Sequence, residues 1–255
     1  MIVLLPPSEG KTPATSGPLL DLADLQFPEL AEARRTVLGR LAEVSAGEDA
    51  LSALGVGASL GADVERNTHL TEIPCAPALE TYTGVLYSAL DVAGLPDSVE
   101  TRAKLDSVFV SSALFGIVGA FDPIPAYRLA MKTKLADLGP LATWWKKRLS
   151  PVLDSAFDGE LLVDCRSADY RRSWPGDPGR TLVVNVFTEK NGKRSVVSHN
   201  AKHTRGELVG HLLRDDRALP ASFEELLARA SERWHTEITR PAGRKPGSLD
   251  IVLAG

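Results

Sequence analysis

Cysteine is nearly absent: Cys75 and Cys165 are the only two in 255 residues. That excludes a disulfide scaffold and a cysteine-rich zinc finger, and it suits a reducing compartment. No apolar run approaches the roughly 18 residues that a membrane span needs, so no membrane partner is expected. Met1–Leu5 is too short for the apolar core of a secretory leader and has no basic residue ahead of it. The expectation is a cytoplasmic protein. Internal repeats, low-complexity tracts and obvious linkers are also lacking, which predicts a single domain over residues 1–255. What the chain does have is 44% hydrophobic and 24% charged residues, the balance of an ordinary globule with ample length to bury a core.

The net charge of −4 hides an asymmetry. Residues 126–205 hold 15 Lys plus Arg against 8 Asp plus Glu, whereas the rest of the chain is acidic. A mildly acidic protein with one basic block can bind a polyanion locally and stay soluble elsewhere. The alternative is that the block supplies only solvated faces.

Apolar and β-prone Met1–Leu5 predicts a buried first strand, and the Pro-, Gly-, Ser- and Thr-rich stretch Pro6–Gly17 a loop leaving it. Helical spacing marks Pro28–Val44, Tyr82–Ala93, Val99–Leu105, Leu141–Leu153, Ala201–Leu213 and Phe223–Trp234. Further strands are expected at Ser107–Ser112, Leu161–Asp164 and Leu249–Leu253. Thr181–Thr188 and Arg194–Ser198 flank Asn191-Gly192, a dipeptide suited to a tight β-hairpin turn. The alternation predicts an α/β fold, a mixed sheet surrounded by helices with one hairpin.

No catalytic motif announces itself. Ser8-Glu9-Gly10-Lys11-Thr12 invites a phosphate-loop reading, but Leu5 stands where the first glycine belongs, and Pro6 and Pro7 remove two backbone donors. A milder reading has Ser8 and Lys11 projecting from a strand's carboxyl end into a ligand cleft. His199 and His203 have metal-pair spacing, yet no acidic or cysteine partner sits nearby in sequence, so neither a metal nor another cofactor is expected. Lys202 and Arg205 fall in the first turns of the predicted Ala201–Leu213 helix, where cations oppose the helix dipole at about 0.3–1 kcal/mol each. An anion bound at that end would offset the cost. Tyr127, Arg128, Lys132 and Lys134 form a second basic cluster; Arg166, Tyr170, Arg171 and Arg172 form a third. Such interleaving of aromatic and basic groups suits phosphates and bases, and equally suits surface ion pairs. Trp144 and Trp145, ahead of Lys146-Lys147-Arg148, read as a core anchor beside a solvated face. Ala93-Gly94-Leu95-Pro96 faintly resembles a helix-hairpin-helix turn, with Pro96 where a second glycine is expected.

Several stretches together resemble the YaaA family of bacterial peroxide-stress proteins. They are Pro7, Ser8, Lys11 and Thr12; Tyr82-Thr83-Gly84-Val85-Leu86-Tyr87; Leu114–Val118; Pro125–Met131 with Thr133-Lys134-Leu135; and Glu189–Lys193 followed by Ala201-Lys202 and Arg205-Gly206. Their order spans nearly the whole chain. The resemblance implies a single α/β domain with a positively charged cleft and a helix-hairpin-helix-like element. It also implies DNA binding and a role in limiting iron-dependent oxidative damage. Carried over by position, the anion- or DNA-binding residues are Ser8, Lys11, Tyr87, Tyr127, Arg128, Lys134, Lys202 and Arg205. Departures from the family pattern are Glu9-Gly10 inserted before Lys11, His203 after Lys202, and Ala120-Phe121 where a basic residue and proline are usual. They make the cleft less basic and leave room for a smaller anion.

Three functions compete. One is a monomeric, non-enzymatic protein that binds duplex or branched DNA. The second is an enzyme acting on a small anionic or nucleotide-like substrate, with Tyr87, Tyr127 or Lys11 transferring protons at pKa values lowered by nearby positive charge. A thiol redox sensor at Cys75 or Cys165 is the third. A deep pocket of convergent Lys and Tyr groups favours the second, a shallow groove the width of a duplex the first.

Overall fold

The computed structural model describes residues 1–190, 192–196 and 198–254. An eight-stranded sheet organises the chain. Its middle is parallel: Val108–Ser112, Ile2–Leu5, Leu162–Asp164, Thr181–Lys190 and Gly247–Ala254 lie side by side in that order. Antiparallel strands finish the edges, Gly116–Gly119 beside Val108–Ser112 and His235–Thr239 beside Gly247–Ala254. Lys193–Val196 folds back antiparallel on the far half of Thr181–Lys190, as the hairpin signal predicts; Asn191 itself lies outside the described residues.

Burial explains the composition of these strands. Val3, Leu4 and Leu5 are fully enclosed because helices cover both faces of a parallel sheet, which calls for continuous rather than alternating apolar runs. Gly116–Gly119 has no readable period, being glycine, two aliphatics and glycine. Its antiparallel turn depends on Gly116, whose φ of +75° is in the left-handed region and whose absent Cβ would meet the Trp145 ring at 2.8 Å. Arg34, on helix Ala31–Ser45, is wholly buried and donates to the carbonyls of Gln26, Phe27, Phe115 and Ile117 at 2.7–3.2 Å. Loss of hydration there pulls its pKa down to about 10. Of the tandem tryptophans expected to anchor the core, Trp145 does so, buried and donating to Ala113 O at 2.8 Å, whereas half-buried Trp144 stacks under the Arg148 guanidinium, 3.5 Å from its ring centroid.

Two expected helices take a different form, and the strands Gly116–Gly119 and His235–Thr239 are additional to those expected. Tyr82–Ala93 is not one helix. The α-helix runs only over Val85–Leu90, since Asp91 turns to φ +52°, and a 3-10 turn at Val92–Gly94 follows. A helix-hairpin-helix element is not shown at that turn, where Gly94 N–H donates to Asp91 O and Leu95 N–H to Val92 O, both at 3.1 Å, and Pro96 has no N–H. The late helix begins at Ser198, three residues early, as nothing from Ser198 to Arg205 breaks a helix. Lys202 and Arg205 therefore occupy its second and third turns, and the argument from an opposed dipole does not apply to them.

Candidate functional site: a cleft at the carboxyl ends of the central strands

Parallel sheets leave a crevice where chain connections depart to opposite sides of one strand. Ile2–Leu5 is that strand: its next neighbour in sequence, Val108–Ser112, lies on one side, and Leu162–Asp164 on the other. Beyond its carboxyl end opens a cleft of about 480 Å³. The loop Pro6–Gly10 forms one wall, Thr83–Tyr87 the next, Arg128–Lys132 a third, and Ser167, Asp169 and Tyr170 a fourth. Lys202 and Arg205 close it from the Ser198–Arg214 helix.

That helix reaches the cleft because Gly206 and Gly210 face the Val85–Leu90 helix. A Cβ on Gly206 would lie 2.1 Å from Leu86 O, and one on Gly210 2.8 Å from Leu90 O. Only hydrogen side chains permit this approach. Arg205 is then fixed by donation from Nε to Val184 O at 2.9 Å, which leaves its terminal nitrogens for the cleft.

Sequence-distant residues converge as follows. Ser8, Tyr87, Arg128, Lys202 and Arg205 all line the cleft. Lys132 joins them, exposed on the wall, although it was placed only in a basic cluster and not in the site. Lys11 and Tyr127 sit behind the wall rather than on it, and Lys134 is exposed outside it, bridging to Pro140. Two carboxylates, Glu9 and Asp169, share the lining with the four cations. Arg128 is not unengaged: it donates to the Glu9 carbonyl and to Glu9 Oε2, both at 3.1 Å. Asn67 holds the Arg128 backbone on both sides, at 2.8 and 2.9 Å. Ser8 Oγ accepts from Thr83 N at 2.9 Å and so ties two walls together.

All four tyrosines of the chain gather here. Tyr87 donates to Pro6 O at 2.7 Å and stacks on Tyr82, with ring centroids 5.5 Å apart. The Tyr127 hydroxyl lies 3.1 Å from that of Tyr82 and 2.7 Å from Ser112 Oγ. Burial drives all four phenols above the ordinary tyrosine value, with neighbouring phenols adding to the rise. The expectation that positive charge lowers Tyr87 and Tyr127 is not met: desolvation first, and neighbouring phenols second, raise both. Lys11 behaves as expected but for a different leading reason. Desolvation first, and the Arg128 charge second, lower its pKa to about 7.

The floor is held by a buried pair. Arg166 makes two hydrogen bonds to the Asp164 carboxylate at 2.7 and 2.9 Å, and others to Ser111 Oγ and Trp174 O. Arg171 donates to Arg166 O and anchors the Ser167–Tyr170 wall. Within the third basic cluster Arg166 and Arg171 are thus scaffold, Tyr170 lines the cleft, and exposed Arg172 pairs with Asp169. The thiols are enclosed as well. Burial pushes Cys75 up to about 11 and Cys165 up to about 12, values that suppress the thiolate needed for redox sensing. Among the described residues, no cluster of His, Cys, Asp and Glu has the makings of a metal site, and no helix is long and apolar enough to cross a membrane.

Fold and cleft together define an α/β protein with a crevice at a topological switch point, in which cations from two separate segments meet. A family model described as "Peroxide stress protein YaaA" matches residues 1–237, and the chain belongs to that family. A UPF0246 protein of Streptomyces coelicolor is 40% identical over 99% of this chain and 98% of its own length. One from Corynebacterium glutamicum is 40% identical over 82% and 83% respectively. An uncharacterized protein of Campylobacter jejuni is 31% identical over 58% of the chain and 57% of its own.

Proposed function

We propose that this peroxide-stress protein acts through its cleft on one anionic, nucleotide-sized group, held by Arg128, Lys132, Lys202 and Arg205. The observation that carries the reading is the convergence of these cations on a walled cleft of about 480 Å³, within the 300–1,000 Å³ range of small-ligand sites. An apolar side formed by Val85, Leu86, Leu129 and Met131 gives a base or other flat group a surface to lie on. The enclosure suits one unit of a strand rather than the width of a duplex. Exposed Lys132 and Lys202 favour a second reading, in which that unit belongs to a DNA strand whose neighbouring phosphates cross the rim.

Calorimetric titration with AMP and pyrophosphate at 50 mM KCl tests the first reading, and titration with a single-stranded and a duplex 12-mer tests the second. AMP binding that disappears in Lys202→Ala and Arg205→Ala is expected. If DNA is the ligand, four cations limit the duplex slope of log affinity against log salt to about −3.6, a loss of roughly 10²-fold between 50 and 200 mM. Absence of binding by AMP, pyrophosphate and both 12-mers at low salt refutes the assignment.

A further inference from the structure

Lys11 is the one lysine enclosed by the cleft's own framework, and nothing in the anion-binding role uses it. Its backbone is fixed by a β-bridge to Tyr82. Its ammonium nitrogen lies 4.1 Å from the Tyr127 ring centroid and 5.3 Å from that of Tyr82, and donates to Ser8 O at 3.0 Å. No carboxylate pairs with it within 4 Å among the described residues. Of the charged groups around it, Arg128 opposes the ammonium, while Asp63 and Glu9 support it from further off. Buried lysines kept for stability are normally paired with a carboxylate. This one sits among aromatic faces and beside a guanidinium, the environment that turns an amine into a nucleophile. The residue as a whole is half-buried, and Ser8, whose carbonyl accepts from the ammonium, and Arg128, whose charge acts on it, are both cleft wall.

We propose that Lys11 is a nucleophilic amine that captures a small aldehyde or ketone bearing a carboxylate or phosphate, with Arg128 holding the anionic end. The inference rests on the reading of the cleft as an anion site. Arg128 at present spends two donors on Glu9, whose carboxylate is exposed to solvent and so forms only a weak pair. An incoming anion replaces Glu9 on the guanidinium and brings its carbonyl carbon to the amine beneath. The nitrogen lone pair then forms the C–N bond as the carbonyl π bond breaks, and a proton passes from nitrogen to oxygen to give the carbinolamine. Loss of that hydroxyl as water, with a second proton, leaves the imine. No electrons are gained or lost overall. With a pKa near 7, about half of Lys11 is the free amine at neutral pH, against a small fraction of a per cent for an exposed lysine.

Reductive trapping tests this on the wild-type protein. Glyoxylate, pyridoxal 5′-phosphate or propanal is added at pH 7 with cyanoborohydride, and labelled lysines are mapped by peptide mass. Glyoxylate and pyridoxal phosphate are expected to label Lys11 at least about tenfold faster than exposed Lys146, and faster than propanal does. Arg128→Ala should abolish the ratio of anionic-aldehyde to propanal labelling at Lys11; because the Arg128 charge also lowers the Lys11 pKa, that ratio and not either absolute rate is the readout. Lys11 labelled no faster than Lys146, or labelled equally by propanal, overturns the proposal. Pyrophosphate titration of the same preparation separates the two claims: binding without Lys11 labelling ends the amine assignment alone, and loss of both ends the anion site too.

Discussion

Substituting alanine for Gly206 puts the helix contact that builds the cleft to a quantitative test. The added Cβ would stand 2.1 Å from Leu86 O and 3.0 Å from Ala89 Cβ, whereas ordinary contact begins near 3.4 Å. Both obstacles belong to a packed helix, so the two helices must part by over 1 Å or tilt. Overpacking of this kind costs about 1–3 kcal/mol, and a carbonyl oxygen that cannot rotate away puts Gly206 at the upper end. Against that, alanine in a helix interior regains about 0.5–1 kcal/mol over glycine. A net loss of about 2 kcal/mol follows, or roughly 4–8 °C in Tm for a chain of this size. Gly39, exposed on helix Ala31–Ser45 with nothing within 4 Å of its notional Cβ, provides the matched control. There the same substitution should stabilise by about 0.5–1 kcal/mol. Thermal unfolding of both variants, with AMP or pyrophosphate titration of the survivors, is the assay. Gly206→Ala should also bind the anion more weakly, since Lys202 and Arg205 ride on the displaced helix. A Gly206→Ala protein as stable as Gly39→Ala would refute the close-approach argument.

Four further outcomes are expected. Asp164→Asn leaves Arg166 buried without its counter-charge and should cost about 3–5 kcal/mol, read as a lower midpoint in urea. Glu9→Gln frees Arg128 and should tighten pyrophosphate binding by up to about fivefold, the equivalent of an exposed ion pair; weaker binding would mean that Glu9 helps hold the ligand. Because the folded protein lowers the Lys11 pKa from 10.5 to about 7, the unfolded chain binds more protons between those values. Stability of the wild type relative to Lys11→Met should therefore rise as pH climbs from about 7 towards 10, with no relative slope below 7. Cys75 and Cys165 should resist iodoacetamide in the native state and react fully in urea; rapid native labelling of either would restore the redox-sensor reading.

Where one local rule governs, the fold was readable from sequence. Ile2–Leu5, Val108–Ser112 and Leu162–Asp164 are buried apolar runs, and the Thr181–Lys190 hairpin announces its turn. Gly116–Gly119 and His235–Thr239 were not predicted as strands. The first has too little period to be separated from a loop, and the second stands outside the core with alternating exposed residues, its pairing decided by Gly247–Ala254. In the site, Ser8, Tyr87, Arg128, Lys202 and Arg205 could be named by resemblance, whereas sequence could not separate Lys132, on the wall, from Lys134, off it. The Glu9–Arg128 contact joins residues 119 positions apart and leaves no local trace. The tyrosine pKa values went wrong because charge is visible in a sequence and burial is not.

The pairing order of the sheet also sets a timetable. Ile2–Leu5 is synthesised well before its neighbours Val108–Ser112 and Leu162–Asp164, and Thr181–Lys190 waits for Gly247–Ala254. At about 5–20 residues per second, Ile2–Leu5 spends on the order of ten seconds before both of its neighbours have been made, and Thr181–Lys190 must wait for a strand about 60 residues further on. Late long-range pairing of this kind is the feature that slows folding and lengthens the exposure of apolar strands.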